Sequence, residues 1–223
     1  MVGIAFHTNQ LSERGAEIAL YDYCLYNELL LGNRSVVFYP RHAIGNDASV
    51  VSRFSRSFEL VAYGHFGEVD DRITAMNLDL FYAIKGGNID GVISKTVPSM
   101  IHAVFAQSPF EVHGSAYAFV SEWLALKCSA GLVPAVPHIV HSACGPLAGD
   151  LRQSLDIPQR AVVLGSYGGR GSFDLEFVRE QVIPTALEQR SDLHFVFMNY
   201  DPFVDHPRAH FLPKSTNMAE KRA

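Results

Sequence analysis

Apolar residues along this chain arrive in short blocks, and the spacing inside the blocks switches between strand-like and helix-like. Residues 2–6 form a short apolar run that predicts a buried strand. Residues 7–14 are polar, with Ser12 placed as a helix cap. From 15 to 31 the apolar positions Ile18, Tyr21, Leu25 and Leu29 recur at three- and four-residue steps, which is one face of a helix, and Gly32-Asn33 closes it. Residues 35–39 are β-branched and aromatic, and Pro40 stops them. Strand, loop, helix, strand is a βαβ unit, which implies parallel strands and a right-handed crossover.

The alternation continues with a helix at 48–55, a strand at 58–62, a helix at 69–76 and a strand at 78–84 that runs into the turn Lys85-Gly86-Gly87. Strands follow at 100–105 and 116–120, then a helix at 122–128 capped by Ser121, and a short extended piece at 138–141. Residues 142–149 are small and proline-containing, the composition of a linker. The pattern then restarts. A short helix at 150–155 exits through Asp156-Ile157-Pro158, and an apolar strand at 161–167 ends in Gly168-Gly169-Arg170-Gly171. Ser172 caps a long helix, 173–189, which Pro184 should kink or divide. Strands at 193–199 and 209–212 complete the reading. The expected fold class is α/β, with two Rossmann-like domains built on parallel sheets, 1–145 and 151–223. The second is expected to be incomplete, a sheet of three strands with an open edge.

Composition narrows the function classes. The chain has 223 residues, 48% apolar and 18% charged, with a net charge of −5. That is ordinary globular usage, and it excludes wholesale disorder, a collagen-like fibre and a small disulfide scaffold. An acidic balance argues against a broad nucleic-acid surface, although a local cationic pocket remains compatible with it. Cys24, Cys128 and Cys144 are odd in number and lack a CxxC spacing, so they read as reduced thiols of a cytoplasmic protein. The N-terminus enters its apolar run without a basic flank, unlike a signal peptide, and no stretch of 18 apolar residues spans a membrane.

Several residues are candidates for chemistry. Gly168-Gly169-Arg170-Gly171 follows a strand and opens a helix, where glycine lets the backbone approach a phosphate and Arg170 adds a cationic fork. The competing reading is a plain strand-to-helix turn, since Asp174 stands where a dinucleotide fingerprint would place its third glycine. Gly15 occupies the same place in the first half, either facing a ligand or close-packed. Glu17 reads as a structural residue that favours the helix dipole. His102 lies mid-strand, as a hydrogen-bonded core residue or a substrate-orienting one, and His113 lies in a loop better placed for contact. His138, His141 and Cys144 lack a fourth ligand at a metal-site spacing, so no metal is expected. No nucleophile elbow and no Walker A loop occur.

Taken in order, these segments resemble nucleotide-sugar glycosyltransferases of the GT-B fold, in the large retaining group called family 4. The resemblance rests on Arg14-Gly15-Ala16-Glu17-Ile18-Ala19, Tyr82-Ala83-Ile84-Lys85-Gly86-Gly87, Ile101-His102-Ala103, His113-Gly114, Val120-Ser121-Glu122-Trp123-Leu124, Gly165-Ser166-Tyr167-Gly168-Gly169-Arg170 and Phe195-Val196-Phe197-Met198-Asn199. It implies an amino domain for the acceptor and a carboxyl domain for the nucleotide-sugar donor, with a cleft between them. Gly15, Gly168, Gly169 and Arg170 would lie at the donor phosphates, and His102 or His113 would contact the sugar. Phe173-Asp174 stands where a second phosphate-binding lysine is usual. No cofactor beyond the donor is implied. The acceptor would be a saccharide or a lipid- or protein-linked group, peripheral membrane contact stays open, and the glutamate pair usual in the second domain is not met before residue 223. The chain is then expected to be inactive alone or completed by another chain, and its open second domain to be marginally stable or self-associating. The alternatives are a non-catalytic nucleotide- or sugar-binding remnant, or an unrelated phosphate-binding α/β protein.

Overall fold

The computed structural model describes residues 1–140, 149–168 and 175–215. The chain divides into two compact units, Met1–Val140 and His141–Ala223.

The first unit alternates strands and helices in the expected order. β1 (Gly3–His7), α1 (Gly15–Leu31), β2 (Arg34–Pro40), α2 (Ala48–Ser55), β3 (Glu59–Tyr63), α3 (Gly67–Ala75) and β4 (Leu80–Lys85) lead to β5 (Ser99–Ala103), β6 (Ala116–Phe119) and α4 (Glu122–Ser129). All pairings are parallel, in the order β3-β2-β1-β4-β5-β6. The order reverses between β1 and β4, and open α/β sheets bind ligands beyond the carboxyl ends of the strands at such a point. The sheet is covered on both faces. One core gathers Ala5, Phe38, Phe81, Ile101 and Phe119 against α3 and α4. The other gathers Phe6, Val37 and Ile84 against Leu20 and Cys24 of α1 and Phe54 of α2. Near-continuous apolar strands such as SVVFY are what burial on both faces requires.

Helix ends follow local chemistry. Gly32 adopts φ +64° and donates its N–H to the carbonyls of α1, closing the helix where its sequence places the stop. Asp47 caps α2 through the Ser49 N–H, and Ser121 caps α4 through the Leu124 N–H. Ser12 does not cap α1. The N-cap is Arg14, without a side-chain bond, and Ser12 turns its hydroxyl to Glu17 instead.

The second unit comprises α5 (Leu151–Ser154), β7 (Val162–Tyr167), a π-helical turn at Val178–Val182, α6 (Ile183–Gln189), β8 (Leu193–Met198) and β9 (Ala209–Leu212). The strands are parallel, in the order β7-β8-β9. Pro184 lies in the first turn of α6, directly after the π-helical turn. Proline cannot donate to the preceding turn, and the helical run over 176–189 continues through it with its ladder changing from π to α at that point. The expected extended piece at 138–141 forms no strand over 138–140; instead Ala135 bridges to Phe119. Residue 141, the linker 142–148, and the residues of the glycine–arginine loop and Ser172 cap from 169 to 174 lie outside the described residues.

Two glycines separate sharply in what they require. Gly87, just past β4, has φ +109°, and a Cβ there would stand 2.6 Å from the Ala103 Cβ and 2.6 Å from the Tyr117 hydroxyl. Gly15 has nothing within 4 Å of a Cβ position. Gly87→Ala is therefore expected to lower the unfolding free energy by about 3 kcal/mol, from backbone strain and overpacking together. Gly15→Ala is expected to leave it unchanged or raise it by up to about 1 kcal/mol. Urea denaturation of the two variants checks both.

Candidate functional site

The carboxyl edge of the first sheet is built from the residues that end β1 and β4. In the pleat, His7 pairs with Ala83, so His7, Ala83 and Lys85 share one face. His7 is fully buried, its Nε2 lies 2.7 Å from the Tyr63 hydroxyl, and its ring packs against Phe66 and Phe81. Burial, and then the positive charge of Lys85, push the His7 pKa down to about 3, so it is neutral at pH 7. The Lys85 side chain is 0% exposed, and its Nζ donates to Asp90 Oδ1 at 2.6 Å and to the Val92 carbonyl at 3.1 Å. Burial raises the Asp90 pKa, but the bonds from Lys85 and the Val92 N–H outweigh it and hold the carboxylate below its usual range. A buried ammonium is tolerated only with such a partner. The pair therefore fixes the loop that leaves β4, and Gly87 and the Tyr117 hydroxyl, which donates to the Gly87 carbonyl at 2.7 Å, hold it against β5 and β6.

The loop between β1 and α1 is braced from below. Glu17 is buried and accepts from the Thr8 hydroxyl at 3.2 Å and the Ser12 hydroxyl at 3.0 Å. Burial raises its pKa, and the two hydroxyls partly offset that. Its placement in the first turn of α1 agrees with the dipole reading, yet its main work is to tie both ends of the loop to the helix start. Gly15 is open to the space beyond the loop rather than close-packed.

The opposite face carries one of the two expected histidines. His102, 1% exposed, has its Nδ1 2.8 Å from the Tyr82 hydroxyl and its ring edge-on to Tyr23 and His138. Burial, with His138 adding to it, pushes its pKa down to about 4. Tyr23, on α1, donates its hydroxyl to the Pro137 carbonyl at 2.8 Å, so the same cluster pins the segment that follows α4. His102 sits toward the carboxyl end of β5. His113 does not: its neighbour Ser115 exchanges hydrogen bonds with Ser99, the first residue of β5, which sets His113 at the amino end of the strands. There its Nδ1 meets the Glu111 carbonyl at 2.7 Å and its ring packs on Tyr117. The structure thus separates the two candidates.

In the second unit Gly168 follows β7, and its carbonyl accepts from the Asn199 side chain at 2.7 Å, which links the exits of β7 and β8. A cavity of about 490 Å³ opens beside the carboxyl ends of β8 and β9, lined by Leu151, Gln153, Met198, Leu212 and Lys214. Its size falls in the range of small-molecule sites. Gly169 and Arg170 lie outside the described residues. Among the described residues no group of three or more His, Cys, Asp or Glu side chains is arranged to hold a metal, and no helix is long and apolar enough to cross a membrane. Sequence reasoning passed over His7, Tyr63 and the Lys85–Asp90 pair. The usable signal was a histidine and a lysine closing two otherwise apolar strands, GIAFH and LFYAIK.

The buried histidines make acid stability a measurement of this geometry. In the unfolded chain a histidine protonates near pH 6.5, whereas His7 and His102 stay neutral down to about 3 and about 4. Their folded pKa values are depressed, so the unfolded state binds more protons below pH 6.5. Each histidine then removes up to about 1.4 kcal/mol of stability per pH unit as pH falls through that window. Denaturation at pH 7, 5.5 and 4.5 should show the decline, and His102→Gln should flatten the slope by close to one proton. An unaltered slope in that variant contradicts a neutral His102.

The sequence matches no protein-family model and no curated protein. Solved structures do match. A protein assigned as a UDP-N-acetylglucosamine 2-epimerase from Listeria monocytogenes aligns with a TM-score of 0.59 and 13% identity over 99% of this chain and 71% of its own. MnaA of S. aureus, solved with UDP, gives 0.56 and 11% over 96% and 70%. The lipopolysaccharide outer core galactosyltransferase WaaB gives 0.55 and 10% over 96% and 69%. At such identities the likeness is one of fold. The chain has the α/β architecture of the GT-B proteins, spanning about 70% of the length of each of these neighbours.

Proposed function

We propose that this protein binds a nucleotide-sugar and transfers the sugar to a hydroxyl-bearing acceptor, a saccharide or a lipid- or protein-linked group. The observation that carries the reading is the cavity of about 490 Å³ at the carboxyl ends of β8 and β9, in the unit where the Asn199 side chain also joins the exits of β7 and β8. The nucleoside occupies that cavity. The diphosphate lies at the glycine loop that continues from Gly168 through Gly169 to Arg170, where backbone N–H groups and a guanidinium suit an anion. The catalytic contribution is electrostatic, because the leaving diphosphate gains charge as the glycosidic bond breaks. In this reading the second unit is the donor side and the first the acceptor side. Of the two histidines, the reading assigns the sugar-side role to His102, held by Tyr82 near the carboxyl end of β5, and leaves His113 a loop-packing role.

Two neighbouring chemistries compete on this fold. The MnaA neighbour carries UDP and the Listeria neighbour is assigned as an epimerase, which favours UDP as the nucleotide and makes epimerisation a second reading. Binding without turnover is the third, supported by the burial of His7 and His102, neither of which offers an exposed base.

Calorimetry with UDP should show binding that Arg170→Ala weakens by about 1.5–3 kcal/mol, the scale of a charge-assisted hydrogen bond. Unchanged affinity overturns the donor-loop assignment. Incubation with UDP-sugars and sugar acceptors separates the chemistries: released UDP supports transfer, interconverted sugar without released UDP supports epimerisation, and binding with neither leaves the non-catalytic reading.

A further inference from the structure

The two faces of β8 differ in chemistry. Leu193, Phe195 and Phe197 pack with Ile183 and Leu187 of α6. His194 and Val196 lie on the other face, where His210 of β9 stands in register with Val196. His194 Nδ1 is 3.2 Å from His210 Nε2, and the two rings stack with centroids 5.5 Å apart and planes 5° from parallel. Side chains as well as backbone therefore join β9 to β8.

A contact between two ring nitrogens needs one N–H and one lone pair. A neutral pair supplies both, and so does a pair carrying one extra proton. With both rings protonated, both nitrogens carry hydrogen, and the bond gives way to repulsion between stacked cations. The surroundings add to that repulsion. Among the described residues, the charged or protonatable groups that act on His194 besides His210 are Arg208 and His206, ahead of β9, and Arg152 of α5. Arg152 is itself held by the Pro158 and Ala161 carbonyls at 3.2 and 3.0 Å, and β7 places Val163 beside His194. Burial, then the His210 ring and the arginines, hold the His194 pKa below its usual value, and burial does the same for His210.

β9 carries part of the cavity wall. The Phe195 N–H donates to the Arg208 carbonyl at 2.8 Å and the Asn199 N–H to the Leu212 carbonyl at 3.0 Å, so Arg208, His210 and Leu212 bond toward β8. Leu212 and Lys214 then line the cavity of about 490 Å³ together with Leu151 and Gln153. We infer that the His194–His210 pair is a proton switch: it holds β9 against β8 while either ring is neutral, and it releases β9, with that wall of the cavity, when both rings take up a proton from solvent. The switch belongs to the strand pair and operates whatever ligand the cavity takes.

Native-state hydrogen exchange at pH 7, 6 and 5 is the test, read as protection factors so that the intrinsic pH dependence of exchange cancels. A released histidine protonates near pH 6.5. The paired ones protonate lower, so the open form binds more protons and gains population as pH falls. The His210 and Leu212 amides are expected to lose roughly tenfold or more in protection between pH 7 and 5. Leu164, which bonds β8 from the β7 side, is expected to keep its protection. His210→Gln, which cannot take up the second proton, should abolish the loss, and His206→Gln should leave it. If His210→Gln does not fold, the wild-type imidazole titration decides: the second protonation of the pair must coincide with the loss of β9 protection. Protection that is constant with pH, that falls equally at Leu164, that still falls in folded His210→Gln, or that ceases to fall in His206→Gln overturns the inference.

Discussion

A fully buried ammonium sits at the point where the strand order of the first sheet reverses. Lys85 ends an apolar strand, and nothing in the surrounding core can solvate it. Left alone in such a place, a charge costs several kcal/mol. Asp90 and the Val92 carbonyl must therefore come to it, and the chain between β4 and β5 has little freedom in how it does so. Burial first, and the same charge second, keep His7 neutral, which lets that ring serve as a hydrogen-bonding and aromatic core residue beside Tyr63. One electrostatic requirement thus sets the shape of the sheet edge where α/β proteins hold their ligands.

The edge is completed by devices of a different kind. Glu17 holds the first loop through two hydroxyls, so that the loop is fixed by side chains beneath it and its outer surface stays open at Gly15. In the second unit an amide side chain, Asn199, ties the exits of β7 and β8 together, and a cavity opens beside the carboxyl ends of β8 and β9.

Much of the fold was legible because local rules and tertiary packing agree. The helix from Gly15 to Leu31 stops at Gly32, where only a left-handed residue can end it well, and α2, the Ser121 cap and β9 follow from patterns a few residues long. Pro184 announced a kink or division, and the structure keeps one helical run there with a π-helical turn just before the proline. The site was less legible, because its contacts join residues far apart in sequence. His7 meets Tyr63 across 56 positions, and Tyr23 reaches Pro137 across 114. No periodicity encodes such pairs. Ser12 shows the reverse failure: a good cap by position, it bonds Glu17 because a buried carboxylate needs donors more than a solvated helix start does. His102 and His113 looked alike as histidines near strands, and the topology alone separates them, since each belongs to an opposite end of the parallel sheet.

The proposed function requires a nucleotide to bind at the strand exits of the second unit. Amide chemical-shift mapping during titration with UDP tests this most directly. The expected result is a saturable set of shifts centred on Gly168 and Asn199, with the Lys85–Asp90 region unmoved. Shifts confined to other surfaces, or none at millimolar UDP, would contradict it.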